Sequence, residues 1–203
     1  MLKILYELCL SKEMACIYTN YNDTSKFHFG TIIAVNEEEI AIQTISPDGE
    51  NDGIVVIGTD YINRVETNSQ YIEKMKKLCA GDSLFLNDLE IDNNNIINSI
   101  LLFAFKEKEV VSIELIDSGY NDVIGIIEEI DDIECKIKQF NEYGYVDGEL
   151  YFRVNDITKV AVLTQDEKRI MRLKKINYQG NTEGKTEQSG DGSLIDKPNS
   201  TTS

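Results

Sequence analysis

The stretch of sequence that decides the fold reads GTIIAVNEEEIAIQTISPDGENDGIVVIGTDYINRV and spans residues 30–65. Its segments are rich in Ile and Val and are separated by turn residues, which is typical of short β-strands. The clearest breaks are Pro47-Asp48-Gly49 and Asn51-Asp52-Gly53, where glycine tolerates the positive φ angles that tight turns need. With the flanking residues, the pattern predicts strands over 15–22, 27–36, 38–46 and 54–66, the last divided near Asp60 and Tyr61.

The same pattern recurs 95 residues later in the chain. Between residues 30–78 and residues 125–173, eleven of forty-nine aligned positions are identical, whereas ordinary composition would give about three to four. The identical pairs include Gly30 with Gly125, Gly49 with Gly144, Asp52 with Asp147, Gly53 with Gly148 and Gln70 with Gln165. A fixed period of this kind indicates that one structural unit has been duplicated.

Helices are predicted at both ends of each copy. The apolar spacing of residues 2–10 and of residues 97–105 predicts a leading helix. After Ser69, the side chains of Tyr71, Met75 and Leu78 share one stripe of a closing helix. In the second copy Thr164 and Glu167 have the spacing of a capping box, and the basic residues that follow favour a structural role beside the helix dipole.

These signals divide the chain into four parts. We predict a first unit over residues 1–78, a linker over residues 79–95 and a second unit over residues 96–177. Residues 178–203 are rich in Gly, Ser, Thr and Asn, which predicts a disordered tail. The expected fold class is mainly β with flanking α-helices, built as two tandem five-stranded barrels.

Two segments of each copy carry a resemblance to a known family. The run Gly30-Thr31-Ile32-Ile33-Ala34-Val35-Asn36 and the later residues 55–62, with their counterparts at 125–131 and 150–157, resemble the two-part signature of Sm-like proteins. The resemblance implies a bent, SH3-like barrel behind a helix in each copy. It also implies that a homo-oligomer could form through edge strands, because Sm-like proteins often join in that way.

The residues that an RNA-binding Sm-like protein needs are incomplete in both copies. Such proteins place an acid and an asparagine after the second strand and an Arg-Gly pair near the fifth, whereas here the later pairs are Ile57-Gly58 and Arg153-Val154. Carboxylates cluster at the loop after the second strand in both copies, and they would repel a phosphate backbone. We therefore interpret these carboxylates as a partner-binding set: Glu37, Glu38, Glu39, Asp131, Asp132 and Glu134.

The charge of the whole chain favours a protein partner over a nucleic acid. Thirty-six acidic residues face twenty basic ones, for a net charge of −16, which repels phosphate backbones and anionic membranes. The leading hypothesis is a non-catalytic binding or regulatory protein, and its specific version is an immunity or antitoxin-like protein that neutralises a basic partner. The alternative hypothesis is an RNA-binding Sm-like assembly.

No catalytic, metal or cofactor site is predicted. Asp88, Glu90 and Asp92 alternate like the start of a calcium loop, but the later glycine and glutamate of such a loop are missing. His28 lies between two phenylalanines without a second histidine in the chain, which favours a surface strand residue.

The cysteines and the apolar runs bear on localisation. Cys9, Cys16, Cys79 and Cys135 have no C-x-x-C spacing, which predicts free thiols. No run has the length of a signal-peptide core or a membrane span. Reduced thiols in a chain without such segments favour the cytoplasm.

Overall fold

A computed structural model describes residues 1–23, 25–79, 89–116 and 122–183, with side chains described as far as residue 178. The strands are β1 (Met14–Tyr18), β2 (His28–Val35), β3 (Glu39–Ile45), β4 (Asn51–Gly58), β5 (Arg64–Glu66), β6 (Val110–Leu115), β7 (Val123–Ile130), β8 (Glu134–Phe140), β9 (Val146–Arg153) and β10 (Ile157–Val162). The helices are α1 (Leu2–Ser11), α2 (Gln70–Leu78), α3 (Ile96–Glu107) and α4 (Gln165–Glu183), with short 3-10 turns at Thr59–Tyr61 and Val154–Asp156.

The strands form one antiparallel sheet in the order β5-β1-β2-β3-β4-β10-β6-β7-β8-β9. This confirms a mainly β fold with flanking helices. The prediction of two closed five-stranded barrels is not confirmed, because the sheet is open. Within each half, however, the five strands follow the same spatial order: fifth, first, second, third and fourth.

The reason for the open sheet lies at the junction between the halves. Closing the first half on itself would require the outer edge of β4 to pair with β5. That edge is occupied by β10, with Lys159 opposite Ile57 and Val162 opposite Ile54. Since β10 also pairs with β6 on its other side, the ladder continues from one half into the other.

The strands and helices recur with the period found in the sequence. The bounds of β2, β3 and β4 reappear 95 residues later in β7, β8 and β9, and both closing helices begin at a glutamine, Gln70 or Gln165. Ser69 caps α2 by accepting a hydrogen bond from the Ile72 N–H. The closing helix α4 continues to Glu183, past the predicted boundary at 177, whereas residues 80–88 of the predicted linker and residues 184–203 of the predicted tail lie outside the described residues.

A shared hydrophobic core reinforces the junction. Helix α3 of the second half buries Ile96, Ile100 and Leu101 in a cluster that contains strand residues of its own half together with Ala41 and Val56 of the first half. Helix α1 instead packs Leu5 and Leu8 into a separate cluster made mostly of first-half residues. The two leading helices therefore have different roles, since only α3 bridges the halves through this core.

Close approach of two strands requires glycine at one matched pair of positions. A Cβ atom on Gly30 would lie 2.0 Å from the carbonyl oxygen of Gln43, and one on Gly125 would lie 2.3 Å from that of Lys138. Both contacts are with the backbone of the next strand. A larger residue at either position would push those strands apart.

Replacing Gly30 with Ala is expected to lower the free energy of unfolding by about 1–3 kcal/mol. The new methyl group would overlap the backbone of the neighbouring strand β3, which cannot move without the strands that pair with it. Urea denaturation followed by circular dichroism measures the loss. Gly58→Ala is the matched control, because its Cβ would overlap the Tyr61 ring, at 2.8 Å, and would lie at an ordinary contact distance, 3.7 Å, from the nearest backbone atom, the Glu38 carbonyl oxygen. A side chain can rotate away, so the control should lose less; equal losses would contradict this explanation.

Candidate functional site

The acidic residues of the first half follow a turn built by Asn36. Its side-chain oxygen accepts hydrogen bonds from the N–H groups of Glu38, at 2.8 Å, and Glu39, at 2.6 Å. This Asx turn is a local alternative to strand pairing and links β2 to β3. It leaves the side chains of Glu37 and Glu38 exposed at the surface.

The second half builds the matching turn with Asp131. One oxygen of its carboxylate accepts hydrogen bonds from the N–H groups of Ile133 and Glu134, each at 2.8 Å. These two hydrogen bonds favour the ionised form and lower the pKa of Asp131. Asp131, Asp132 and Glu134 are exposed. We call Glu37 and Glu38 the first acidic turn, and Asp131, Asp132 and Glu134 the second acidic turn.

Glu39 has a different role from the other five carboxylates. Its carboxylate accepts hydrogen bonds from the N–H groups of Ile96, at 2.9 Å, and Ile97, at 3.1 Å, at the start of α3. Those N–H groups have no partner inside the helix, so the carboxylate satisfies them and faces the positive end of the helix dipole. Burial raises the pKa of Glu39, and these two hydrogen bonds oppose the rise. Glu39 therefore ties β3 to the second half.

The carboxylates of the two acidic turns form no ion pair with a lysine or arginine of the described chain. Carboxylates elsewhere in the protein do form ion pairs with lysine. Lys136 Nζ lies 3.1 Å from carboxylate oxygens of both Glu128 and Glu149. Each acidic turn thus presents uncompensated negative charge to the solvent.

Each acidic turn is held against the 3-10 turn that follows the fourth strand of its half. The Thr59 N–H donates to the carbonyl oxygen of Glu38 at 2.7 Å, and the Thr59 hydroxyl donates to that of Glu37 at 2.6 Å. In the second half the Val154 N–H donates to the carbonyl oxygen of Ile133 at 2.9 Å. The structure therefore brings together the two loops that the Sm-like resemblance singled out in each half.

A cavity of about 800 Å³ lies at the junction of the halves, where the sequence analysis predicts no site. Its size falls in the range of small-molecule sites. The first half contributes the connection between β1 and β2 together with parts of β2, β3, β4 and α2, and the second half contributes parts of β6, β10 and α4. The lining includes Phe27, His28, Thr44, Val55, Ile57, Tyr71, Glu114, Lys159, Ala161 and Glu167.

His28 is half-buried in this cavity and is not the surface residue that the sequence favoured. Burial lowers its pKa to about 4, and the charge of Lys159 adds to the effect. The imidazole is therefore neutral near pH 7. The aromatic neighbours that could have indicated burial, Phe27 and Phe29, flank it in the sequence.

Three charged groups that line the cavity have partners within the second half. Lys159 Nζ lies 3.3 Å from a carboxylate oxygen of Glu114. Glu167 is buried and accepts hydrogen bonds from the Ser112 hydroxyl and from the Thr164 N–H, as the capping-box spacing predicts. These contacts link β6, β10 and α4 of the second half to one another at the wall of the cavity.

The described residues contain no group of three or more His, Cys, Asp or Glu side chains placed to hold a metal ion. Within the same part of the chain, no helix combines the length and apolar character needed to cross a bilayer.

Comparison with known proteins found no matching family, no matching curated protein and no matching solved structure.

Replacing Glu39 with Ala is expected to lower the free energy of unfolding by about 1–3 kcal/mol, because it leaves two helix N–H groups without their acceptor. Urea denaturation measures the change. Glu38→Ala, an exposed neighbour, should stay within about 0.5 kcal/mol of the wild type. Glu39→Gln keeps an acceptor oxygen and should recover most of the loss; a Gln variant as unstable as the Ala variant would contradict the capping role.

The single histidine of the chain makes its titration easy to follow by NMR. We expect the imidazole of His28 to titrate near pH 4 in the folded protein instead of near its ordinary 6.5. The unfolded chain then binds a proton first, so stability should fall as the pH drops from about 6.5 towards 4. His28→Asn should remove this component of the pH dependence, and a folded-state midpoint near 6.5 would refute the burial argument.

Proposed function

We propose that the chain is a non-catalytic binding protein that engages a protein partner, with a basic partner as the specific version. The observation that carries this proposal is the pair of exposed acidic turns without counter-ions, held in matching positions of one continuous sheet. Five carboxylates at fixed positions attract a cationic surface and orient it before contact.

Two Sm-like units in tandem are the proposed origin of this arrangement. The support is the repeated strand order, the recurrence of strand bounds after 95 residues and the matched turns at Asn36 and Asp131. In this proposal the units are those predicted over residues 1–78 and 96–177. Because β4 and β10 join them, both acidic turns would reach one partner without the entropy cost of ordering a flexible linker.

Neutralisation of a basic toxin is the version of this function that fits the charge. An immunity or antitoxin-like protein needs a stable acidic surface and no chemistry of its own. The proposed compartment is the cytoplasm, where thiols stay reduced. All four cysteines are free, in agreement with that compartment.

Charge reversal in the acidic turns tests the proposal. We expect Glu37→Lys/Glu38→Lys and Asp131→Lys/Asp132→Lys each to weaken binding to basic proteins at least tenfold, because each variant replaces two attractive charges by two repulsive ones. The measurement is quantitative capture of proteins from native lysate, followed by titration of the basic proteins recovered. Binding by the wild type should weaken as salt is raised.

Glu13→Lys/Glu107→Lys is the charge-matched control, since both residues are exposed and lie outside the acidic turns. It changes the net charge by the same amount and should keep most of the affinity. If the control loses as much as the turn variants, binding depends on net charge alone and the assignment of the site is wrong. If the wild type retains no basic protein, the proposed function itself fails.

RNA binding is the alternative to a protein partner, and a separate experiment with an RNA probe tests it. The contact between the acidic turn and the Thr59 turn supports a loop arrangement of Sm-like type, but the carboxylates of Glu37 and Glu38 work against phosphate. We expect no shift of an oligo-U probe and a low ratio of absorbance at 260 to 280 nm. A shifted probe would favour the RNA alternative over the protein partner.

A further inference from the structure

The cavity at the junction is formed by side chains from both sides of the ladder between β4 and β10. Thr44 and Ile57 of the first half line it together with Lys159 and Ala161 of the second. Its volume of about 800 Å³ is large enough for a small organic molecule. No residue of either acidic turn lines the cavity. A ligand bound here would therefore leave the acidic turns free.

The imidazole of His28 has no hydrogen-bond partner among the described residues. It is neutral near pH 7, because burial and the charge of Lys159 both lower its pKa. A neutral imidazole carries one N–H donor and one acceptor nitrogen. Removing such a group from water without replacing its hydrogen bonds costs free energy. A ligand with an acceptor beside a donor would supply both.

The sheet curves around the cavity and brings His28 towards the second half. His28 begins β2 and Lys159 belongs to β10, and two other strands lie between them in the sheet. The charge of Lys159 nevertheless acts on the imidazole. The intervening strand β4 contributes Val55 and Ile57 to the lining. The polar groups are therefore set beside an apolar surface, as in many sites for small organic molecules.

Each lysine and carboxylate that lines the cavity already has a partner. The contacts are Lys26 with Asp23 at 3.5 Å, Lys159 with Glu114 at 3.3 Å, Asp166 with Arg169 at 2.9 Å, the Asp52 carboxylate with the Gln165 N–H at 2.7 Å, and the Glu167 carboxylate with the Thr164 N–H at 2.9 Å. A charged ligand would have to break one of these contacts or remain unpaired away from water. The lining therefore favours an uncharged ligand.

The balance of charge in the lining supports the same conclusion. Four carboxylates and two lysines line the cavity, so an anion would meet net repulsion. A cation bonded to the imidazole would meet the charge of Lys159, which already disfavours a proton on His28. Neither sign of charge is therefore favoured beside His28.

Aromatic rings give the cavity a preference for flat molecules. Phe27, Phe29 and Tyr71 all line it. The Tyr71 ring makes edge-to-face contacts with Phe27, at 5.3 Å between centroids, and with Phe29, at 5.4 Å. Rings that hold one another in place lose little freedom when a ligand packs against them.

We propose that the junction cavity binds a small, uncharged heteroaromatic molecule. Its ring packs against Phe27 and Tyr71, and its polar edge, an amide or a similar pair of donor and acceptor, exchanges hydrogen bonds with the His28 imidazole. Because both halves supply the lining, the bound molecule stabilises the junction. The proposal does not depend on the proposed function, because the acidic turns lie outside the cavity.

A matched set of compounds tests the ligand class. Quinoline-3-carboxamide is uncharged at pH 7, whereas quinoline-3-carboxylate and 3-(aminomethyl)quinoline carry a negative and a positive charge on the same ring. We expect the carboxamide to shift the NMR signals of the single histidine in a saturable way and to raise the Tm. The two charged compounds should bind at least tenfold more weakly. A charged compound that binds as tightly as the carboxamide would overturn the proposed class.

Other uncharged bicyclic amides and lactams are titrated in the same way, so that the result does not depend on the shape of one ring system. Saturable shifts of the histidine signals by members of this set support the proposal. A set in which no compound shifts those signals would overturn it.

His28→Phe tests the hydrogen bonds. The variant keeps a ring in the cavity but loses the donor and the acceptor, so the affinity for the best amide of the set should fall at least tenfold. The affinity for naphthalene, which has no polar group, should change by less than about twofold, because only the ring contacts serve it. Equal losses for both compounds would mean that His28 only shapes the cavity, which would overturn the proposed hydrogen bonds.

Two further variants complete the test. His28→Asn retains a donor and an acceptor, so it should keep more affinity for the amide than His28→Phe does, and it replaces that variant if the latter fails to fold. Glu107→Ala is the control, because Glu107 is exposed and does not line the cavity. Its affinity should equal that of the wild type, and a loss there as large as in His28→Phe would place the binding site elsewhere.

Discussion

The antiparallel ladder between β4 and β10 is the interaction on which the rest of the structure depends. It occupies the edge that would otherwise let the first half close on itself, and it makes the strands of both halves neighbours in one sheet. Around it, the Glu39 carboxylate accepts hydrogen bonds at the start of α3, the Asp52 carboxylate accepts one at the start of α4, and α3 packs against strands of both halves. Each of these contacts joins residues more than fifty positions apart, so each needs both halves in place.

The ladder between β4 and β10 also sets the position of the two acidic turns relative to each other. An Asx turn at Asn36 or Asp131 would form in an isolated hairpin, because it needs only neighbouring backbone. Its position relative to the other turn is set by the strands between them in the sheet. A rigid pair of charged turns differs from the same charges on a flexible chain, since the entropy of orienting them is spent during folding and not at binding.

The sequence could predict features that arise locally or recur after 95 residues. The strand segments, the break at Asp60 and Tyr61, the closing helix after Ser69 and the capping box at Thr164 and Glu167 are all present. The open sheet could not be predicted, because apolar alternation identifies a strand but not the partner of its edge. The cap formed by Glu39 and the cavity around His28 were missed for the same reason, since each needs both halves in place.

The two halves also show how the side chains of a strand differ with its pairing and cover. Ile54 and Val56 of β4 face α3 and are fully buried, and such positions tolerate only apolar side chains. At the same places in β9 stand Glu149 and Tyr151, within reach of Lys136, and both are compatible with water. The glycine and aspartate of the turn, Gly148 and Asp147, are unchanged. The side chains of β4 and β9 therefore differ with burial, whereas the glycine and aspartate near the start of each strand are the same in both halves.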